Sequence, residues 1–165
     1  MRRGPRLVDY NGILQQAVRD VSAWVEAGTA PPPSTRYEIK NQQVVVPSLA
    51  FDRRGIQPTI NLTSGGRRKV EIPVGKRIEL VGEIRVPVGA GNVIATEWNR
   101  TGYGNYVEPS SPTADGPTIA ERASFTYNKP GTYYPVLRVT SQRGDASSYR
   151  FGRVMNLARV RVVVR

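Results

Sequence analysis

Ile78-Glu79-Leu80-Val81-Gly82-Glu83-Ile84-Arg85-Val86 is the stretch on which the fold turns. Ile78, Leu80, Ile84 and Val86 recur at every second residue with Gly82 in the same row, while Glu79, Glu83 and Arg85 share the other row with Val81. A strand turns successive side chains to opposite faces, so this alternation describes a long strand with one buried and one wet face. The same period spreads in both directions. Upstream, Ile60 and Leu62 precede the turn Ser64-Gly65-Gly66, and Val70, Ile72 and Val74 follow it. Downstream, the loop Val88-Gly89-Ala90-Gly91-Asn92 leads into Val93 to Trp98, and further runs cover Ile119 to Tyr127, Tyr133 to Val139 and Arg153 to Val164. Turn residues bound these runs at Asn128-Lys129-Pro130-Gly131 and Arg143-Gly144-Asp145, because Gly, Pro, Asn and Asp supply the backbone angles that turns demand. About seven strands at this spacing, with no helix among them, predict a mainly β fold, an antiparallel β-sandwich.

The N-terminal part follows a different period. Within residues 11–27, Leu14, Val18, Val21 and Val25 recur at helical spacing, and Ile13, Ala17 and Trp24 widen the stripe, which predicts one amphipathic helix. Asp9 or Asn11 can cap its start and Gly28 can end it, as a short polar side chain and a left-handed glycine do. In Gly28-Thr29-Ala30-Pro31-Pro32-Pro33-Ser34 the prolines hold the chain extended as a stiff connector. The expected organisation is a helix and Pro-rich connector over residues 1–35, an extended linker over 36–55 with one short strand at Gln43 to Val46, and the sandwich over 56–165. A stripe of this kind needs a covering surface, either a neighbour or the chain's own sheet, and Trp24, Val21 and Val18 are its expected anchors.

Composition narrows the chemistry. The 165 residues contain no cysteine and no histidine, which excludes disulfide frameworks, thiol catalysis, Cys/His zinc sites and a Ser-His-Asp relay within this chain. Lys and Arg number 24 against 13 acids, for a formal charge of +11. Such a balance favours acidic partners and says nothing of fold. No apolar run nears the roughly 20 residues of a membrane-spanning helix. Met1-Arg2-Arg3-Gly4-Pro5 lacks the apolar stretch of a signal peptide, so the chain is expected to be either cytoplasmic or a piece of a longer exported protein.

Ala123-Ser124-Phe125-Thr126-Tyr127-Asn128-Lys129-Pro130-Gly131-Thr132-Tyr133-Tyr134-Pro135-Val136-Leu137-Arg138-Val139-Thr140 resembles the late strands of the PKD (polycystic kidney disease) domain family. The shared pattern is an aromatic-x-Tyr, then Pro-Gly-x-Tyr, then alternating apolar residues, with Tyr133, Pro135, Leu137 and Val139 in one buried row. The family's other hallmark, a strand ending in Trp-Asp-Phe-Gly-Asp-Gly, is matched loosely by Ala95 to Gly104: Trp98 is present, Asn99 stands at the first Asp position, and the second Asp has no clear equivalent. The resemblance covers residues 56–165 and implies an immunoglobulin-like, PKD-like sandwich in an extracellular or cell-surface setting. Ala17 to Gly28 with Pro31 to Tyr37 is similar to the last helix and Pro-rich exit of some bacterial α/β-hydrolase-type proteins that carry a C-terminal sandwich. Nothing catalytic transfers from that second resemblance, because the Gly-x-Ser-x-Gly elbow is absent.

Acid–base chemistry without histidine would rest on carboxylates, and Glu79, Glu83, Glu97, Glu108, Asp115 and Glu121 are the candidates. A glycosidase needs two carboxyls facing each other at roughly 5–9.5 Å, whereas most of these alternate outward beside Arg or Lys as solvated cross-strand partners. No Asp-x-Asp-x-Asp spacing exists for calcium. The chain therefore reads as a non-enzyme with no catalytic residue, cofactor or metal. Trp98 and Tyr133 are expected in the core. Tyr103 and Tyr106 stand in a polar loop where two readings stay open, contact with a partner or packing at the sandwich edge. From residue 121 on, nine basic residues face two acids. Arg138, Arg159 and Arg161 alternate there with apolar residues and are the candidate contacts for an anionic ligand, while a solvated sheet face is the plainer reading. The expected function is a structural or interaction module that docks a protein partner or adjoining domain. The alternative is a basic module for a glycan, phosphate polymer or nucleic acid, the last disfavoured by the lack of an RNA-binding aromatic signature.

Overall fold

The long alternating stretch becomes the middle of a sheet. A computed structural model describes residues 8–103, 106, 116, 118–144 and 151–165. In it β5 (Arg77–Arg85) lies between β3 (Thr59–Thr63) and β7 (Thr118–Thr126), antiparallel to both. Facing it is a second antiparallel sheet with β9 (Val136–Gln142) between β6 (Asn92–Asn99) and β10 (Val154–Arg159). A third sheet sets β11 (Arg161–Val164) between β4 (Lys69–Ile72) and β8 (Gly131–Tyr133). The pairing of β11 with β4 is parallel and that with β8 antiparallel. One apolar core unites all three, with Leu62, Leu80 and Ile84 from the first sheet, Leu137 and Val139 from the second, and Val162 and Val164 from the third. The fold is the expected antiparallel β-sandwich of immunoglobulin type with one N-terminal helix.

The seven alternating runs make nine strands because two runs change sheet partway. Tyr133 to Val139 breaks at Tyr134-Pro135, separating β8 from β9, and Arg153 to Val164 breaks at Val160, separating β10 from β11. Proline offers no N–H to a ladder and fixes its own φ, so the break at Pro135 follows from the residue. The break at Val160 follows from its neighbour, since Val160 donates its N–H to the Pro135 carbonyl at 3.2 Å. The two strands thus cross together from one sheet to the next as a bent ribbon, with Val160 fully buried at the bend.

Gly82 marks where the sheets come closest. A Cβ there would overlap the Leu137 side chain, and Leu137 itself is wholly buried. The expected aromatic packing is present. Trp98 is partly buried and meets Phe125 edge-on at 6.0 Å. Tyr133 stacks on Tyr127 at 4.2 Å and donates its hydroxyl to the Lys129 carbonyl at 3.0 Å, the local return bond of a tyrosine corner.

Tyr127 provides a titration test of this packing. It is 2 % exposed, its hydroxyl donates to the Arg100 carbonyl at 2.7 Å, and burial pushes its phenol up to about 12. An unfolded tyrosine ionises near 10. The folded form therefore holds its proton through a range where the unfolded form releases it, and stability present below pH 10 is lost as pH rises toward 12. The unfolding free energy should fall by about 2 kcal/mol across that window relative to Tyr127→Phe, since a tenfold difference in proton affinity is worth about 1.4 kcal/mol. Denaturant titrations of both proteins at stepped alkaline pH measure this, and parallel curves would refute the coupling.

The N-terminal residues depart from expectation. α1 (Asn11–Ala27) occupies the predicted span, with the Asp9 carboxylate accepting the Asn11 N–H at 2.9 Å. Gly28, at φ 66°, closes it, and the Gly28 and Thr29 N–H groups return to the Trp24 and Ala23 carbonyls. The stretch expected to be an extended linker instead folds locally. β1 (Glu38–Lys40) and β2 (Gln43–Val45) form a hairpin. Its turn residues Asn41 and Gln42 both have positive φ, the geometry that suits a two-residue hairpin loop. α2 (Ala50–Arg53) follows as a single turn. Arg36 donates its N–H to the Arg53 carbonyl at 2.7 Å and Gly55 donates to the Pro33 carbonyl at 3.1 Å, so the Pro-rich connector is fastened to α2.

Candidate functional site

α1 docks by the side opposite to its apolar stripe. Gly12 and Gln16 are buried and Asp20 and Ala23 half-buried, a row with helical spacing that faces the sandwich. Gly12 abuts the Arg153 backbone so closely that a Cβ would overlap its carbonyl. Gln15 Oε1 accepts the Gly152 N–H at 2.9 Å, and Asp20 Oδ1 accepts from Arg143 Nη1 at 2.6 Å and from Gln16 Nε2 at 2.9 Å. The expected anchors point elsewhere. Leu14, Val18, Val21, Trp24 and Val25 are between 54 % and 77 % exposed. Docking of the stripe on the chain's own sheet is therefore corrected: polar and small residues hold the helix, and its apolar face is bare. The row Gly12, Gln16, Asp20 was the available signal, a small and polar line on the helix face away from the valines.

The hairpin displays apolar residues of its own. Ile39 and Val44 are paired directly across β1 and β2, and both are about 70 % exposed. Tyr37, Leu49 and Phe51 are likewise more than half exposed. Fully burying one such side chain is worth about 1.5–3 kcal/mol, and residues 10–51 leave that contribution unclaimed many times over.

Asn99 organises the residues that directly follow it, 101–103. Its Oδ1 accepts the N–H groups of Thr101 and Gly102, and its Nδ2 donates to the Tyr103 carbonyl at 3.1 Å. A carboxylate could accept but not donate, so this loop needs Asn where the PKD pattern has Asp. Tyr103 is 60 % exposed, whereas Tyr106 is half-buried over the Arg138 guanidinium at 3.9 Å. Burial raises the Tyr106 phenol above its ordinary value, with the nearby Arg138 charge opposing. The two tyrosines thus part company: Tyr106 packs and Tyr103 is displayed.

Arg138 is not available to an anion. Its Nε and Nη2 donate to the two Glu97 oxygens at 2.6 and 2.5 Å, beneath the Tyr106 ring. Arg159 and Arg161 are exposed, with Arg159 lying 5.5 Å from the Tyr134 ring. The carboxylates are also sorted. Glu79 is an exposed partner of Arg122 as expected. Glu97 and Glu121 are instead buried, at 9 % and 8 % exposure, which corrects their reading as solvated partners. Glu108 and Asp115 lie outside the described residues. Among the described residues no three acidic side chains converge as metal ligands do, and no helix is long and apolar enough to cross a membrane.

No protein-family model and no curated protein matches the chain. Among solved structures, the chain is similar to the crystal structure of the CARDB domain of the PF1109 protein from Pyrococcus furiosus, a complex with di-metal ions. Identity is 17 %, coverage is 66 % of this chain and 88 % of that one, and the TM-score is 0.43. The solution structure of the same CARDB domain matches at 16 % identity over 66 % of this chain and 95 % of that one, with a TM-score of 0.42.

Proposed function

We propose that this chain is a non-catalytic interaction module of PKD-like kind, which engages a protein partner or adjoining domain through its N-terminal arm. The inverted docking of α1 carries this reading. Gly12, Gln15, Gln16 and Asp20 hold the helix to the sandwich, and this attachment turns Val18, Val21 and Trp24 outward on a fixed surface. A contiguous apolar patch held open this way marks an interface far more often than a scatter of single apolar residues does. Trp24 sits in the stripe as the aromatic anchor of the kind that dominates interface energetics. The resemblance to PKD domains favours an extracellular or cell-surface setting for such docking. The anionic-ligand alternative loses Arg138 to Glu97 and keeps Arg159 and Arg161.

A photoreactive residue placed at Val21, and separately at Val88 (90 % exposed, on the sandwich), tests the proposal in the cells that make the protein. Position 21 should give one discrete protein adduct that position 88 does not. Identical adducts from both, or none from position 21, would overturn it. Val21→Asp with Trp24→Asp should abolish that adduct from a reporter at Val18 while leaving the melting temperature within a degree or two, because exposed substitutions shift stability by about 0.5 kcal/mol or less. A large drop in melting temperature would mean that the stripe belongs to the core after all.

A further inference from the structure

Between the outer edges of β3 and β10 runs a groove of about 720 Å³, walled on its third side by Val46, Leu49 and Arg53. The two edges belong to different sheets, and among the described residues no backbone hydrogen bond joins them. Among the described residues, side chains staple them at one end. Asn156 Nδ2 donates to the Pro58 carbonyl at 2.6 Å and Gln57 Nε2 to the Met155 carbonyl at 3.0 Å. Beyond that staple the outer edge of β3, paired only with β5 on its other side, presents main-chain donors and acceptors that a strand can pair, the usual condition for strand addition. On β10, by contrast, the Leu157 N–H already donates to the Asn156 side chain at 2.8 Å.

The side chains lining the groove have a definite charge. Arg53, Arg68, Arg85 and Arg159 line it against the single acid Glu83. None of the four arginines has a carboxylate partner among the described residues: Arg53 and Arg68 donate to the Pro47 carbonyl and to Asn61, and Arg159 lies near Tyr134. Interspersed with them are the apolar side chains of Leu49, Ile60 and Leu157. We propose that this groove binds an extended acidic peptide segment of a partner protein as an added strand, with its carboxylates on the arginines and its alternate apolar residues against Ile60 and Leu157. A strand alternates its side chains, which matches a lining that mixes guanidinium and hydrocarbon. A phosphate polymer would use the charge and leave the β3 edge unpaired. With +11 overall, a second copy of this chain is a poor source of the acidic strand. The length that fits is set by β3 and β10, five and six residues.

Fluorescence anisotropy with a labelled, end-blocked peptide of alternating Glu and Val, as long as β10, tests this on the intact chain. The comparison probes are the same peptide with Pro for Val, a thymidine oligonucleotide and a heparin oligosaccharide. The Glu-Val peptide should bind, more weakly as salt rises, and the Glu-Pro peptide should not, since proline keeps the charge and removes the N–H donors. Arg85→Glu with Arg159→Glu should weaken binding at least about tenfold, as two exposed pairs become like-charge contacts. Both side chains are exposed, so the variant should keep its melting temperature. Hydrogen exchange should show peptide-induced protection in β3. The proposal fails if the Glu-Val peptide does not bind, if Glu-Pro binds as well, if protection falls elsewhere, or if the oligonucleotide or heparin binds more tightly through the same two arginines.

Discussion

Leu137→Ala should lower the unfolding free energy by about 4 kcal/mol, near the upper part of the range for a fully buried leucine. Leu137 is wholly buried, and its side chain fills the space above Gly82 where the two main sheets approach each other. The same contact makes Gly82→Ala costly in the opposite sense. The new methyl group overlaps Leu137, and overpacking a well-filled core costs about 1–3 kcal/mol. Combined, the two changes should not add. Once Leu137 is trimmed, the methyl of Gly82→Ala enters space that has been vacated, and the pair should recover at least about 1 kcal/mol against the sum. Denaturant unfolding of the four proteins measures the cycle. Strict additivity would show that the sheets are not in contact at this point.

The second large effect concerns Glu97 and Arg138. Arg138→Leu removes the cation from the buried Glu97 carboxylate. Stranding a buried charge costs about 3–5 kcal/mol. The Arg138 side chain retains 29 % exposure, which admits water and places the expected loss near about 2 kcal/mol. Arg138→Leu with Glu97→Leu should recover most of it, because two apolar residues at facing strand positions pack without leaving an unpaired ion. A double variant as unstable as the single one would show that the ion pair itself contributes the stability. Either result bears on Tyr106, whose ring rests on Arg138.

Much of the sandwich was legible in the sequence because a period of two reports burial on one face directly. Ile78, Leu80 and Ile84 are buried as their spacing requires. The spacing could not report where a run leaves its sheet. Val160 sits inside an unbroken alternation of arginine and valine, and its departure is dictated by Pro135 on the neighbouring strand. The site was less legible. Helical periodicity located α1 to the residue, yet amphipathicity states only which face is apolar and not which face is attached. Gly12 could have revealed the attachment, since a glycine within the first turn of a helix suggests a close approach. The β3–β10 groove had no linear signature. Arg53, Arg68, Arg85 and Arg159 are scattered over more than a hundred residues, and only the edge-to-edge placement of two sheets assembles them.

The bent ribbon at Pro135 and Val160 has a consequence in time. β11 is the middle strand of the third sheet, and it pairs with β4 across about ninety residues of intervening chain. Contacts that distant require a large loop to close before any energy is returned, and chains rich in them fold slowly. During synthesis β4 and β8 must wait, with their inward-facing residues uncovered, until residues 161–164 have left the ribosome. The third sheet then forms in a single late event, and the Val160 bend couples that event to the seating of β10 against β9. A chain halted short of these few residues is left with two sheets that have no seam, and is a natural client for a chaperone.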